Sequence, residues 1–262
     1  MTETYLLQAH GGAGHNFLCC LLLHLSQQPT NKITFDHTGN AHQYAFDFFK
    51  QETNYMEVRQ ELTRESRTEW PYHTQLKPNS KGPLVLYYET NNENYDFDYN
   101  KIETLHPGIK YLFTTVDDED VIKLEANMFF KQFRYSDPNL NFVQHYIYLC
   151  EREAEVNPNF RKGLTSLTEL NAYEAKTLID KKNSVPKIIE FIRRSMNVPE
   201  YIKDRAYFIN FKDILGNPEK VISTCEAITG KKRNKWLVES YEEYVNKQYE
   251  LMYKDAPWML PK

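Results

Sequence analysis

Tyr5-Leu6-Leu7-Gln8-Ala9-His10-Gly11-Gly12-Ala13-Gly14-His15-Asn16-Phe17-Leu18 is the stretch on which the fold turns. A short apolar strand, Tyr5 to Ala9, runs into a glycine cluster, and the cluster runs into Phe17 to Gln27, which reads as a helix. The chain holds only 9 glycines in 262 residues, and Gly11, Gly12 and Gly14 fall within this one turn. Glycine admits positive φ and lets a backbone approach a ligand closely. A strand that turns into a helix through such a loop presents N–H groups at the positive end of the helix, a cradle for an anion. A plain βα turn has a similar sequence, so the loop needs support from the rest of the chain.

Outward from this stretch, further apolar runs appear without alternation. Leu84 to Tyr88 ends in Glu89, and Tyr111 to Val116 ends in Asp117-Asp118. Continuous runs of this kind suit strands covered on both faces, as in a parallel sheet. Ile33 to Asp36 is expected as a further short strand, closed by the turn His37-Thr38-Gly39-Asn40, and Ala206 to Phe211 as the last. Helices are expected from Tyr44 to about Arg67, from Asp120 to Phe133, from Glu219 to about Thr229 and from Trp236 to Tyr253. Residues 137–200 show helical periodicity punctuated by Pro138, Pro158, Pro186 and Pro199, and read as a helical insertion. The expected fold is α/β: one domain over 1–262 with a mostly parallel five-stranded sheet in a three-layer, P-loop NTPase-like sandwich. Ligands of such sheets gather at the carboxyl ends of the strands, where the glycine loop lies.

Composition removes several classes. Hydrophobic residues make up 41% and charged residues 26%, ordinary globular usage. A net charge of -4 argues against a general nucleic-acid binder. No apolar run reaches the roughly 18 residues of a membrane span. Phe17 to Leu25 follows a glycine loop rather than a basic segment, so it does not read as a signal peptide. Cys19, Cys20, Cys150 and Cys225 lack any C-x-x-C spacing and read as reduced core thiols of a cytoplasmic protein.

A P-loop of the usual kind ends in Gly-Lys-Ser/Thr, with the lysine on phosphates and the hydroxyl on magnesium. Here Gly14-His15-Asn16 stands in its place. Histidine titrates, and an amide replaces the hydroxyl, so magnesium-dependent hydrolysis is disfavoured and no metal is expected. Anion binding through the backbone is not affected.

Two segments together resemble the sulfotransferase family. Gly12-Ala13-Gly14-His15-Asn16-Phe17-Leu18 is similar to its 5′-phosphosulfate loop, a small-residue turn followed by two polar residues and an apolar helix. Phe208-Ile209-Asn210-Phe211-Lys212-Asp213-Ile214-Leu215-Gly216-Asn217-Pro218-Glu219-Lys220-Val221 resembles the family's strand, acidic-apolar pair and Asn/Asp-Pro-Glu before a helix. The resemblance implies a transferase that takes 3′-phosphoadenosine 5′-phosphosulfate as donor and passes its sulfuryl group to a hydroxyl or amine of an unknown acceptor. Gly11, Gly12, Ala13, Gly14, His15, Asn16 and Phe17 would hold the donor. The chain departs from the family where a basic residue is usual at Gly12. It departs again at Asp117 and Leu124, where an arginine and a serine usually grip the 3′-phosphate. Lys123, Lys131, Arg134 and the run Lys231-Lys232-Arg233 are the basic residues available to substitute, although solvated charge is the ordinary reading of each.

A base should sit near the acceptor to remove its proton. His37, after the expected strand 33–36, titrates near neutrality and is one candidate; Glu89, ending the next strand, is the other. His15 is a third group within reach of the transferring centre. His10 and His24 read as structural. Two other functions remain open: a nucleotide kinase or NTPase with a degenerate loop, in which Glu89 or Asp117 would be the acidic strand end, and a non-catalytic binding protein on the same fold.

Overall fold

A computed structural model of the chain describes residues 3–10, 12–36, 39–41, 44, 55–57, 84–89, 99–121, 123, 124, 127, 198–254, 260 and 261. Its centre is β1, Thr4–Ala9, buried at every position. Burial on both faces is what an unalternating apolar run requires, and β1 meets it by lying inside a parallel sheet. It pairs on one side with β3, Leu84–Glu89, in a register that sets Ala9 opposite Glu89. On the other side it pairs with β4, Lys110–Thr115, with Gln8 opposite Phe113. β5, Ala206–Asn210, pairs with β4, and β2, Tyr55–Glu57, pairs with β3. The sheet order is β2-β3-β1-β4-β5, with every pairing parallel.

The strand at the β2 edge corrects the sequence reading twice. Ile33 to Asp36 is not a strand, and Tyr55–Glu57 falls inside the stretch expected to be helical. The physical reason is visible at Ile33, whose side chain is buried and whose N–H donates to Ser240 Oγ at 2.9 Å instead of to a neighbouring strand. Lys32 pairs with Glu239 beside it, so this segment is tied to the C-terminal helix rather than to the sheet. The expected insertion at 137–200 lies outside the described residues except for its last three.

Helices cover both faces. On one face Tyr5, Leu7, Leu112 and Ile209 pack against α1, His15–Gln27, and against α5, Pro218–Thr229, and α6, Lys235–Gln248. From Asn16 to Leu25 every residue of α1 is buried, as an all-round apolar helix must be. Each of its leucines contributes about 1.5–3 kcal/mol by leaving water. Gln28 ends the helix in the left-handed region at φ 53°, with its N–H on the His24 carbonyl.

On the opposite face lies α2, Tyr99–Leu105. Tyr99 donates its hydroxyl to Gln8 Oε1 at 2.5 Å and meets the rings of Tyr111 and Phe113 edge-on. Helix, sheet and helix thus form three layers, with Leu6 and Phe113 under α2 and Leu7 and Leu112 under α1. A one-turn helix α3, Glu200–Lys203, leads into β5, and α4, Phe211–Gly216, begins where the sequence suggested that the strand would end. α6 runs on into a π-helical turn, Tyr249–Tyr253.

Candidate functional site

The parallel sheet brings β1, β3, β4 and β5 to a common carboxyl edge, and the glycine loop leaves that edge from β1. Gly12 and Gly14 take φ of 86° and 69°, in the left-handed region that favours glycine. The Ala13 N–H closes the turn on the His10 carbonyl at 3.1 Å, and Asn127 Nδ2 donates to the Gly12 carbonyl at 2.8 Å. His10 and Asn127 are both buried, so the loop is held from its root and from one side.

Gly14 is the N-cap of α1, and no side chain caps this helix. The three helices that follow β5 are built otherwise. Asn210 Oδ1 accepts from the Lys212 N–H of α4, Asn217 Oδ1 from the Lys220 N–H of α5, and Asn234 Oδ1 from the Leu237 N–H of α6. The first N–H groups of any helix have no acceptor within the helix. Where α4, α5 and α6 each supply one of their own, α1 places a residue without a side chain.

Gly12, Gly14, His15, Asn16, Phe17, Gly39, Asn40 and Tyr244 line one cleft over this helix start. Its far wall is formed by Gly39 and Asn40, from the expected turn at 37–40, whose residues 37 and 38 lie outside the described residues. The Asp36 N–H donates to the Asn40 carbonyl, the Gly39 N–H to the Asp36 carbonyl and the Asn40 N–H to Asp36 Oδ1, and Gly39 sits at φ 71°. Asn16 Nδ2 donates to Asn40 Oδ1 at 3.1 Å across the cleft. Gln248 of α6 holds the far wall through the Gly39 carbonyl at 2.8 Å, and Tyr244, one turn earlier, faces Gly14.

Of the residues expected to bind the donor, Gly12, Gly14, His15, Asn16 and Phe17 therefore share one cleft, and Ala13 lies buried within the loop. Gly11 and His37 lie outside the described residues. The β3 backbone sets Glu89 opposite Ala9, at the root of the glycine loop. Asn40, Gly39, Tyr244, Gln248 and Asn127 were not legible as site residues, because each reaches the loop only through the tertiary fold.

The second patch of polar residues at the carboxyl edge is electrostatically closed. At the end of β4, Asp117 accepts from Asn210 Nδ2 at 2.7 Å and pairs with Lys212 Nζ at 2.6 Å. Hydrogen bonds from Lys212 and then Asn210 hold its carboxyl below the usual aspartate range. Lys220 pairs with Asp213 at 2.7 Å, and Lys123 with the buried Asp120. The carboxylates of Asp117, Glu119 and Asp120 approach within 4.8 Å of one another, but Lys212 and Lys123 already lie on two of them. Arg233, from the basic run at 231–233, is pinned between Glu226 and Glu219 rather than solvated.

Burial suppresses the chemistry of His24, Cys19 and Cys20 on α1. The His24 ring meets the Tyr44 hydroxyl at 2.7 Å, and burial lowers its pKa to about 4, so it stays neutral near pH 7. The thiols of Cys19 and Cys20 are free and buried, and burial pushes both well above the ordinary range, while that of Cys225 is pushed up to about 12. Thiols that stay protonated are neither nucleophiles nor metal ligands.

No family model matches the chain, and no curated protein sequence matches it. Among solved structures, the sulfotransferase domain from the curacin biosynthetic pathway is similar over 92% of this chain and 78% of that one, at 12% identity and a TM-score of 0.34. A likeness at that level assigns no activity. Among the described residues, no helix is long and apolar enough to cross a membrane.

Proposed function

We propose that the cleft over α1 binds the phosphosulfate of a nucleotide donor and that the protein is a sulfotransferase-like enzyme. The observation that supports this reading is the start of α1: a buried helix whose N-cap, Gly14, has no capping side chain, while α4, α5 and α6 each cap themselves with asparagine. An anionic group would supply the missing acceptor and meet the positive end of the helix dipole. The fit is to backbone donors, because the described residues that line the cleft include no lysine or arginine.

Within that reading Gly12, Ala13, Gly14, His15 and Asn16 hold the group to be transferred, with Phe17 packing beneath it. The sulfur–oxygen bond to the donor's phosphate breaks, a bond from sulfur to the acceptor's oxygen or nitrogen forms, and the acceptor proton passes to a base. Glu89, whose backbone pairs with Ala9, is one base candidate and His37 the other. Donors fixed in place before the reaction favour the charge that develops on the leaving phosphate. The 3′-phosphate has no matching site at the end of β4, where the carboxylate of Asp117 would repel it and Lys212 is already paired.

Thermal melting with adenosine 3′,5′-bisphosphate, set against ATP plus magnesium, tests the assignment. At about 100 times its dissociation constant a ligand adds roughly 2.7 kcal/mol, and the melting temperature rises by several degrees. Gly14→Val, which forces a β-branched residue to φ 69° and a Cβ to 2.7 Å from Tyr244 Oη, should remove that rise. No rise for the natural chain with the bisphosphate sinks the proposal. A rise only with magnesium-ATP would assign the cleft to a kinase or NTPase instead.

A further inference from the structure

Tyr244 occupies a position that backbone donors alone do not explain. Its residue is 3% exposed, its ring stacks on Phe17 with centroids 3.8 Å apart and an interplanar angle of 10°, and Tyr241 closes edge-on at 6.4 Å. Packing on both sides therefore fixes the ring and aims its hydroxyl at the glycine loop. The oxygen lies so near Gly14 that a Cβ there would come within 2.7 Å of it. Tyr244 is also part of the cleft lining, with Gly12, His15 and Asn40 around it.

Several other buried tyrosines among the described residues have partners for their hydroxyls. Tyr99 donates to Gln8, Tyr241 donates to the Ile214 carbonyl at 2.7 Å, and Tyr111 donates to Glu103. Tyr244 has no hydrogen-bond partner among the described residues, and burial alone raises its pKa well above the ordinary tyrosine value. A hydroxyl that stays protonated is a donor at every physiological pH. Because Tyr244 lines the cleft, an acceptor bound there would pair with this donor.

We propose that Tyr244 is a binding residue of the anion cleft, its hydroxyl donating to an oxygen of the bound phosphate or sulfate group. This rests on the reading of the cleft given above. The residue stands where the glycine loop lacks a basic side chain, and it comes from the opposite end of the chain. α6 thereby gives the cleft Tyr244 at Gly14 and, through Gln248, supports Gly39 in its far wall.

Tyr244→Phe keeps the ring and its stacking on Phe17 and removes only the oxygen. Adenosine 3′,5′-bisphosphate affinity, measured by calorimetric titration on the natural chain and on Y244F, is the deciding readout, with melting of the ligand-free proteins as the folding control. The expected result is an unchanged ligand-free melting temperature and an affinity at least about tenfold weaker in Y244F, the loss of a hydrogen bond to a charged group. Equal affinities in the two proteins overturn the role of Tyr244 while leaving the cleft assignment standing. Tighter binding by Y244F overturns it as well, since the hydroxyl would then be an obstruction to the anion. Absence of binding by the natural chain overturns the cleft assignment and this role with it.

Discussion

Two strand-to-helix turns at the same edge of the sheet solve one physical problem in opposite ways. After β1 the chain enters α1 through Gly12, Ala13 and Gly14, with positive φ at both glycines, buried surroundings and no capping side chain. After β5 it enters α4 through Asn210, whose side chain caps the helix and also donates to Asp117, while Lys212 and Lys220 neutralise Asp117 and Asp213. The second turn is complete in itself. The first carries the same helix-end field with neither a cap nor a counter-charge in its sequence. On our proposal, the first turn leaves its donors to a bound group, where the second satisfies its own.

The contrast is most sharply tested at Phe17, which belongs to the first turn alone. Its ring is 1% exposed, stacked on Tyr244 and edge-on to Tyr241 at 5.0 Å. Phe17→Ala should cost about 3–5 kcal/mol of stability, as phenylalanine truncations in cores do. Chemical denaturation would show it. Because Tyr244 loses its stacking partner, the bisphosphate should also bind more weakly than to any variant of the second turn. Equal ligand affinity in Phe17→Ala and the natural chain would show that the cleft does not depend on this packing.

Acid titration separates the two regions by the sign and window of their proton uptake. Burial lowers the His24 pKa from 6.5 to about 4, so the unfolded chain binds the extra proton first. Stability from this group is whole above pH 6.5 and is lost as the pH falls toward 4. In the C-terminal region the Arg233 guanidinium, hydrogen-bonded to Glu226, holds that carboxyl near 2 against an ordinary 4.5. Its contribution is whole above pH 4.5 and is lost only as the pH falls toward 2. Melting temperatures should therefore decline in two steps. His24→Gln should flatten the step between pH 6.5 and 4, leaving a remainder from His106, which burial also lowers. Glu226→Gln should flatten only the lower step. A decline below pH 6.5 that His24→Gln leaves untouched would place the titrating group outside α1.

The sequence reveals the first turn more readily than what surrounds it. The glycine cluster needs only local rules: an apolar run, then residues that tolerate positive φ, then an apolar helix. Ile33 to Asp36 shows where such rules fail, because its N–H partner, Ser240, is 207 residues away and four residues carry too little pattern to show it. Tyr55–Glu57 is a three-residue edge strand, too short to interrupt a helical periodicity in the sequence. Tyr244 was visible only as one of several tyrosines in the last helix. Its stacking on Phe17 depends on how α6 crosses α1, which no local spacing encodes.

The mildest test removes a cap from the self-sufficient side. Asn217 Oδ1 accepts the Lys220 N–H at 3.2 Å on an exposed helix start, so Asn217→Ala should lose about 1 kcal/mol. For a chain of this size that is about 2–4 °C in melting temperature. The rise produced by the bisphosphate should be the same as in the natural chain, since α5 offers its N–H groups to its own asparagine and not to a ligand. Gly14→Val, by contrast, should lower stability and remove the rise together. Should Asn217→Ala abolish the rise while keeping the fold, the anion would sit on α5 and the contrast between the two turns would be reversed.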